Sequence, residues 1–313
     1  MKAIVLSDFG GTENLLLAEI PQPEIADDEV LVRVNAISIN PVDVKTRKGV
    51  ALAGKLKNEH PLILGWDIAG VVIEAGANVK NFKPGDEVFG MVNFPGHGKA
   101  YAEYVATPAS HLGLKPANIS FAEAAAGSLA ALTAWQALAR HARVNAGDRV
   151  LVHGASGGVG HFAVQIAKEL GAYVIGTSSA KNKEFVLSLG ADEHVDYQSQ
   201  AFESVIDPVD FVLDTIGGDH IDRSLKILGT DGTIVSIVSG KNEEVRDKAK
   251  TKGVNGLTML VQSSGDDMKW LADWFEKGQL KAHVSKTYPL EQIADAHQQV
   301  ESGHTLGKVV VTP

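Results

Sequence analysis

The segment Arg149–Gly171, RVLVHGASGGVGHFAVQIAKELG, restricts the fold more than any other part of the chain. Val150, Leu151, Val152 and His153 form a short run of apolar or β-favouring residues of the kind buried in a parallel sheet. The chain then turns on Gly154, Gly157, Gly158 and Gly160, and Val159, Phe162, Ala163, Ile166, Ala167 and Leu170 recur at helical spacing up to Gly171. A strand, a glycine turn and a helix N-terminus together make a diphosphate site. N–H groups point outward there, the helix dipole favours negative charge, and glycine admits phosphate close to the backbone. The spacing Gly154-x-x-Gly157-x-x-Gly160 is a variant of the dinucleotide fingerprint, and Ser156, Gly158 and Val159 lie within it. Its position between strand and helix gives the motif its weight.

The flanking pattern predicts two kinds of structure. Up to about Ser120 the chain reads as short β-rich runs: Lys2–Leu6, Leu15–Glu19, Glu29–Ile37 and Asp67–Ile73. One helix signal interrupts them at Asn40-Pro41-Val42-Asp43-Val44-Lys45, where proline suits a first helical turn. Ser120-x-x-Glu123 reads as a capping box, followed by a helical run to about His141. From Arg149 onward strands alternate with helices, the pattern of a doubly wound parallel α/β sheet. The segment from Lys281 returns to strand, helix and strand, and its strands are expected to rejoin the first domain. The expected division is 1–122 with 284–313, and 123–283. The β-rich run Leu257–Gln262 is expected as an open sheet edge, and hence as the contact of a homodimer.

Composition excludes several classes. The 313 residues include no cysteine, which rules out disulfides, thiol nucleophiles and thiolate zinc sites and fits a cytoplasmic enzyme. A net charge of −9 argues against nucleic acid as a partner. No apolar run is long enough to span a bilayer and no signal-peptide pattern precedes the first strand, so no membrane partner is expected. The end of the second strand decides which dinucleotide is expected. NAD sites usually place an acid there, about 20 residues past the glycines. This chain has Ser178, Ser179, Lys181 and Lys183, with no acid before Glu184. Hydroxyls and lysines suit a 2′-phosphate, so the expected cofactor is NADPH.

Ordered motifs along essentially the whole chain resemble the medium-chain dehydrogenase/reductase superfamily, in its zinc-independent quinone oxidoreductase and enone reductase branch. They are Asn40-Pro41-Val42-Asp43, Gly65-Trp66-Asp67-Ile68-Ala69-Gly70-Val71-Val72, Pro84-Gly85-Asp86-Glu87-Val88, Ala102-Glu103-Tyr104-Val105 and Leu132-Thr133-Ala134. The glycine loop, Asp214-Thr215-Ile216-Gly217-Gly218 and Gly307-Lys308-Val309-Val310 continue the series. The resemblance implies a Rossmann domain inserted into a GroES-like, mainly-β catalytic domain, with the active site in the cleft between them. It places Thr133 near the nicotinamide amide, Tyr197 near the adenosine half, and Ile216 and Val238 beside the cofactor. In the zinc-dependent branch a cysteine stands where this chain has Asn40 and a histidine where it has Trp66. Trp66 cannot ligate a metal and Asn40 is a poor zinc ligand, so no metal site is expected.

Without a Lewis acid the substrate must already be electrophilic. A quinone or an α,β-unsaturated carbonyl qualifies, because hydride addition gives a delocalised phenolate or enolate. The expected donors are the Asn40 amide and the Lys45 ammonium, with Tyr101 as a third candidate and Asp43 pairing with Lys45 or holding the loop. Phe89, Met91 and Phe94 are read as either an apolar lid or core. A catalytically silent nucleotide-binding protein and a zinc-type alcohol dehydrogenase are the alternatives to an NADPH-dependent reductase.

Overall fold

Burial of Val150, Leu151 and Val152 on both faces is what makes Arg149–Val152 a central strand. The computed structural model describes residues 1–313 and places this strand, β1, in the middle of a six-stranded sheet. The chain continues through α1 (Gly158–Glu169), β2 (Tyr173–Ser178), α2 (Lys183–Ser188), β3 (Glu193–Asp196) and β4 (Val209–Asp214). It then forms α3 (Asp219–Ser224), β5 (Leu228–Ser236), α4 (Val245–Lys252) and β6 (Asn255–Thr258). The strand order is β3-β2-β1-β4-β5-β6, and every pairing is parallel. Strand order reverses between β1 and β4, so their carboxyl ends open the crevice where such sheets take ligands. The core beneath is apolar and buried, with Leu151, Ile175, Val212, Ile234 and Phe202 at its centre.

A second sheet is mainly antiparallel. Its order is Val284–Pro289, Lys308–Thr312, Glu29–Ile39, Asp67–Ala75, Glu87–Met91, Gly113–Leu114, with Tyr104–Pro108 also paired to Glu29–Ile39. Val309, Val310 and Val311 pair with Ile39, Ser38 and Ile37, so the C-terminal strands do rejoin the sheet begun near the N-terminus. Phe89 and Met91 are fully buried and Phe94 nearly so. Trp66 and Phe94 meet edge to face at 5.5 Å, as do Phe89 and Phe275 at 6.3 Å. These rings are core of this sheet, not a lid.

The chain divides into Met1–Leu132 with Gln262–Pro313, and Thr133–Val261. Both boundaries differ from the expected ones, and helix packing is the reason. Phe121–Ala126 packs on strands Glu29–Ile39, Asp67–Ala75 and Lys308–Thr312, and Gly265–Glu276 packs on Gly113–Leu114 and Glu87–Met91. Both helices therefore belong with the antiparallel sheet, although their sequences continue the α/β alternation. The Ser120 capping box forms: Ser120 N donates to Glu123 Oε2 at 2.8 Å and Glu123 N to Ser120 Oγ at 3.2 Å. The helical run behind it is interrupted, however, into Phe121–Ala126, Leu129–Trp135 and a π-helical segment, Gln136–Ala142.

Candidate functional site

The parallel sheet presents a cradle at the carboxyl ends of β1 and β4. Gly160 is required there by close approach: a Cβ on it would lie 2.1 Å from the Gly154 carbonyl oxygen. As the first residues of α1, Gly158, Val159 and Gly160 carry N–H groups with no acceptor inside the helix. Thr215 Oγ1 donates to the His153 carbonyl at 2.8 Å, tying the loop after β4 to the glycine loop. Buried Asp214 shapes the Thr215–Gly218 turn by accepting from Ile216 N (3.0 Å), Gly217 N (2.9 Å) and Ser236 Oγ (2.6 Å). Ile216 and Tyr197 leave much of their surface exposed, while Val238, just past β5, is half-buried. Thr133 is buried on helix Leu129–Trp135. Ser156 Oγ, inside the loop, accepts from Asn182 Nδ2 at 3.0 Å.

The end of β2 carries Ser178 and Ser179, and Lys183 opens α2. The nearby carboxylate is Asp196, at the end of β3, and it is already engaged. It accepts from Ala180 N (3.2 Å), Gln198 N (3.1 Å) and Ser199 Oγ (2.7 Å), and the Ser199 hydrogen bond leads in holding its pKa low. A ribose diol would have to compete with three donors for it. The loop's open N–H groups and the serine–lysine turn fit a phosphorylated dinucleotide.

The antiparallel sheet carries a different assembly, a buried polar network. Asn40 precedes helix Pro41–Arg47 and is 1% exposed. Its Nδ2 donates to Asp67 Oδ2 at 2.8 Å and, more weakly, to the Ser38 carbonyl at 3.4 Å, while its Oδ1 accepts from Lys308 Nζ. Lys308 is 3% exposed and also donates to the Ile39 carbonyl at 3.1 Å, with Asp67 Oδ2 at 3.9 Å. Asp67 Oδ1 accepts from Leu129 N at 2.8 Å, at the start of helix Leu129–Trp135. The Asn40 amide thus has both its donors and its acceptor occupied by protein, and no donor is left for a substrate oxygen in this arrangement.

Asp43 is fully buried, and its Oδ2 accepts from Asn40 N at 2.7 Å, so it holds the loop at the helix start. Tyr101 is also fully buried, its hydroxyl 2.9 Å from His297 Nε2. Gly65, at φ +89, leaves room for that ring; a Cβ there would stand 2.4 Å from Tyr101 Cδ1. Lys45, on the same helix as Asp43, is only half-buried. Of the four candidate donors and positioners, then, three are interior and Lys45 alone reaches partly out. Trp66 is buried with its Nε1 donating to the Gly96 carbonyl at 2.8 Å. Lys308, Asp67, Arg47 and His297 were not singled out by the sequence reading. The available signal was a lysine at the head of an all-buried valine strand, a position charge occupies only when paired.

Burial raises both carboxyl groups, Asp43 to about 7 and Asp67 to about 6, against an ordinary 3.8. Burial also raises Tyr101, seconded by the Asp43 charge, and lowers Lys308. His297 falls to about 3 through burial and then the Arg47 charge. For Asp43 the folded state binds its proton more tightly than the unfolded chain does. Its ionisation therefore costs stability as pH rises from about 4 to about 7, by up to about 1.4 kcal/mol per pH unit. Asp43→Asn should remove that slope. Denaturation midpoints at pH 5 and pH 7.5 should show the wild type losing ground to the variant at the higher pH, whereas parallel profiles would contradict the assignment.

Residues 26–117 match the family model described as alcohol dehydrogenase GroES-like domain, and residues 189–311 the one described as zinc-binding dehydrogenase. The chain is 38% identical over 323 residues to the NADPH-dependent alkenal/one oxidoreductase, chloroplastic, of Arabidopsis thaliana, covering 100% of this chain and 80% of the relative. Among solved structures, the quinone oxidoreductase from Coxiella burnetii superposes with a TM-score of 0.95 at 39% identity, covering 100% and 99% of the two chains. The Escherichia coli quinone oxidoreductase complexed with NADPH gives 0.88 at 29% identity, covering 100% of each. Shared sequence along its full length and a shared fold place this chain in the medium-chain dehydrogenase/reductase superfamily, in the quinone oxidoreductase and enone reductase branch.

Proposed function

We propose that the chain is an NADPH-dependent oxidoreductase that reduces a quinone or an α,β-unsaturated carbonyl without a metal. The observation that carries this reading is the state of the two positions where the zinc branch keeps ligands. One holds the Trp66 indole, hydrogen-bonded to Gly96, and the other an Asn40 amide fixed between Asp67 and Lys308. No three His, Asp or Glu side chains gather in a manner suited to a metal ion. The relative named for alkenals and alkenones and the neighbours named for quinones support the same substrate class.

The glycine cradle would hold NADPH, which would supply the hydride. Gly154 to Gly160 and the N-terminus of α1 hold the diphosphate, Ser178, Ser179 and Lys183 hold the 2′-phosphate, and Thr133, Tyr197, Ile216 and Val238 orient the rest. Lys45 offers a proton to the reduced acceptor. Asn40 and Asp43 act by position, fixing the start of the helix that carries Lys45, and Tyr101 is braced by His297 behind it. A cytoplasmic location is part of this proposal; no helix is long and apolar enough to cross a membrane.

Lys183→Ala should weaken NADPH binding about ten- to a hundredfold, the worth of one charge-assisted hydrogen bond, and leave NADH nearly unchanged. Titration of both cofactors by fluorescence checks this, and equal losses would show that Lys183 does not read the phosphate. Dialysis against a chelator should leave the rate with quinones and enones unchanged, and saturated aldehydes should react far more slowly. Lys45→Met should slow enones, whose α-carbon must be protonated, more than quinones. Activity lost on dialysis and restored by zinc would end the metal-free reading, and no turnover with any acceptor would favour a silent nucleotide-binding protein.

A homodimer belongs to the same proposal. β6 pairs only with β5, and its outer edge is open, with exposed Leu260 just beyond it. Sedimentation at micromolar concentration should give twice the mass of the 313-residue chain, and a monomer would count against it.

A further inference from the structure

Ser178 closes β2 and is 2% exposed. Its hydroxyl stands 2.8 Å from His194 Nε2 on β3 and 3.2 Å from the Ser179 carbonyl. A hydroxyl has one proton to donate and two lone pairs to accept with. Surrounded by protein alone, Ser178 can give that proton to Ser179 O or to His194 Nε2. A phosphate beside it, mostly a dianion at neutral pH, offers mainly acceptors and takes the proton instead. The serine oxygen is then an acceptor for its other neighbour, and that neighbour is His194. The chain phosphate, Ser178, His194 therefore closes only with a proton on Nε2, and the phosphate's negative charge favours a second proton on Nδ1.

Two charged side chains act on His194: Lys183 at the start of α2, and Asp196 two residues along β3. Burial first and Lys183 second hold the imidazole below its ordinary pKa, and Asp196 opposes them. A phosphate beside Lys183 offsets that lysine's field.

We propose that His194 reads the 2′-phosphate of NADPH through Ser178 and takes up a proton from solvent as that phosphate binds. This rests on the reading of the β2 end as a 2′-phosphate site. His194 then adds a pH term to cofactor choice. Binding raises the affinity of the imidazole for its proton, so the preference for NADPH over NADH grows as pH falls through the imidazole range and fades above it.

Isothermal titration calorimetry at pH 7, in buffers of different ionisation enthalpy, counts the protons exchanged on binding. A fractional proton uptake is expected with NADPH and none with NADH. The free 2′-phosphate, with a second pKa of about 6, could only release protons on binding, so uptake cannot come from it. His194→Gln should abolish the uptake and weaken NADPH about tenfold at pH 6.5, with NADH altered less than about twofold. Ser178→Ala, which keeps the imidazole and breaks the chain, should abolish the uptake as well, and serves if the histidine variant folds poorly. Absence of uptake in the wild type, or uptake that persists in either variant, overturns the proposal. Failure of the underlying 2′-phosphate reading looks different: the wild type would bind NADH as tightly as NADPH, and Lys183→Ala would not discriminate between them.

Discussion

A single buried ammonium organises the antiparallel half of the molecule. Lys308 sits at the head of the last strand with almost no access to water, and an unpaired charge there would cost several kcal/mol. Its partners come from two segments far from it in the chain: the Ile39 carbonyl and the Asn40 amide oxygen in one, the Asp67 carboxylate in the other. Asp67 passes the constraint on to Leu129 N, at the start of helix Leu129–Trp135, where N–H groups have no acceptor inside the helix. Asn40 passes it to Asp43 through its own backbone N–H. Removing any member leaves another buried and unsatisfied, so the strand ends and both helix starts are fixed together.

This network also changes what Asn40 does. Read as a residue type at a motif position, it is a hydrogen-bond donor available to a developing negative charge. Read in its surroundings, it is the joint between a buried cation and a buried anion. The difference is one of second partners, which local sequence does not encode. Lys308 lies 268 residues from Asn40, and only the pairing of the last strand with Glu29–Ile39 brings them together.

The dinucleotide half was far more legible, because its chemistry is local. Strand, glycine turn and helix follow one another within the stretch Arg149–Gly171, and Gly160 sits where the backbone must approach Gly154 closely. The Ser120 capping box was legible for the same reason, as a contact between residues three apart. Domain boundaries were not, since Phe121–Ala126 and Gly265–Glu276 look like the helices of an α/β alternation and reveal their allegiance only by what they pack against. Phe89, Met91 and Phe94 were ambiguous between lid and core until the strand register placed the first two in the sheet and the Trp66 contact drew Phe94 inward. His194 escaped notice because its neighbour Ser178 is on another strand, brought within hydrogen-bond reach only by the parallel pairing of β2 with β3.

Where the hydride goes separates a metal-free reductase from one of the zinc type. A carbonyl reductase of the zinc type delivers it to the carbonyl carbon and yields an alcohol, whereas a site built only of fixed side chains needs an acceptor that spreads the charge away from the point of attack. Turnover of an enone with NADPH deuterated at the transferring position, followed by mass and magnetic-resonance analysis of the product, separates the two. The account predicts a saturated ketone or aldehyde carrying one deuterium on the β-carbon. An allylic alcohol with deuterium on the former carbonyl carbon would contradict it.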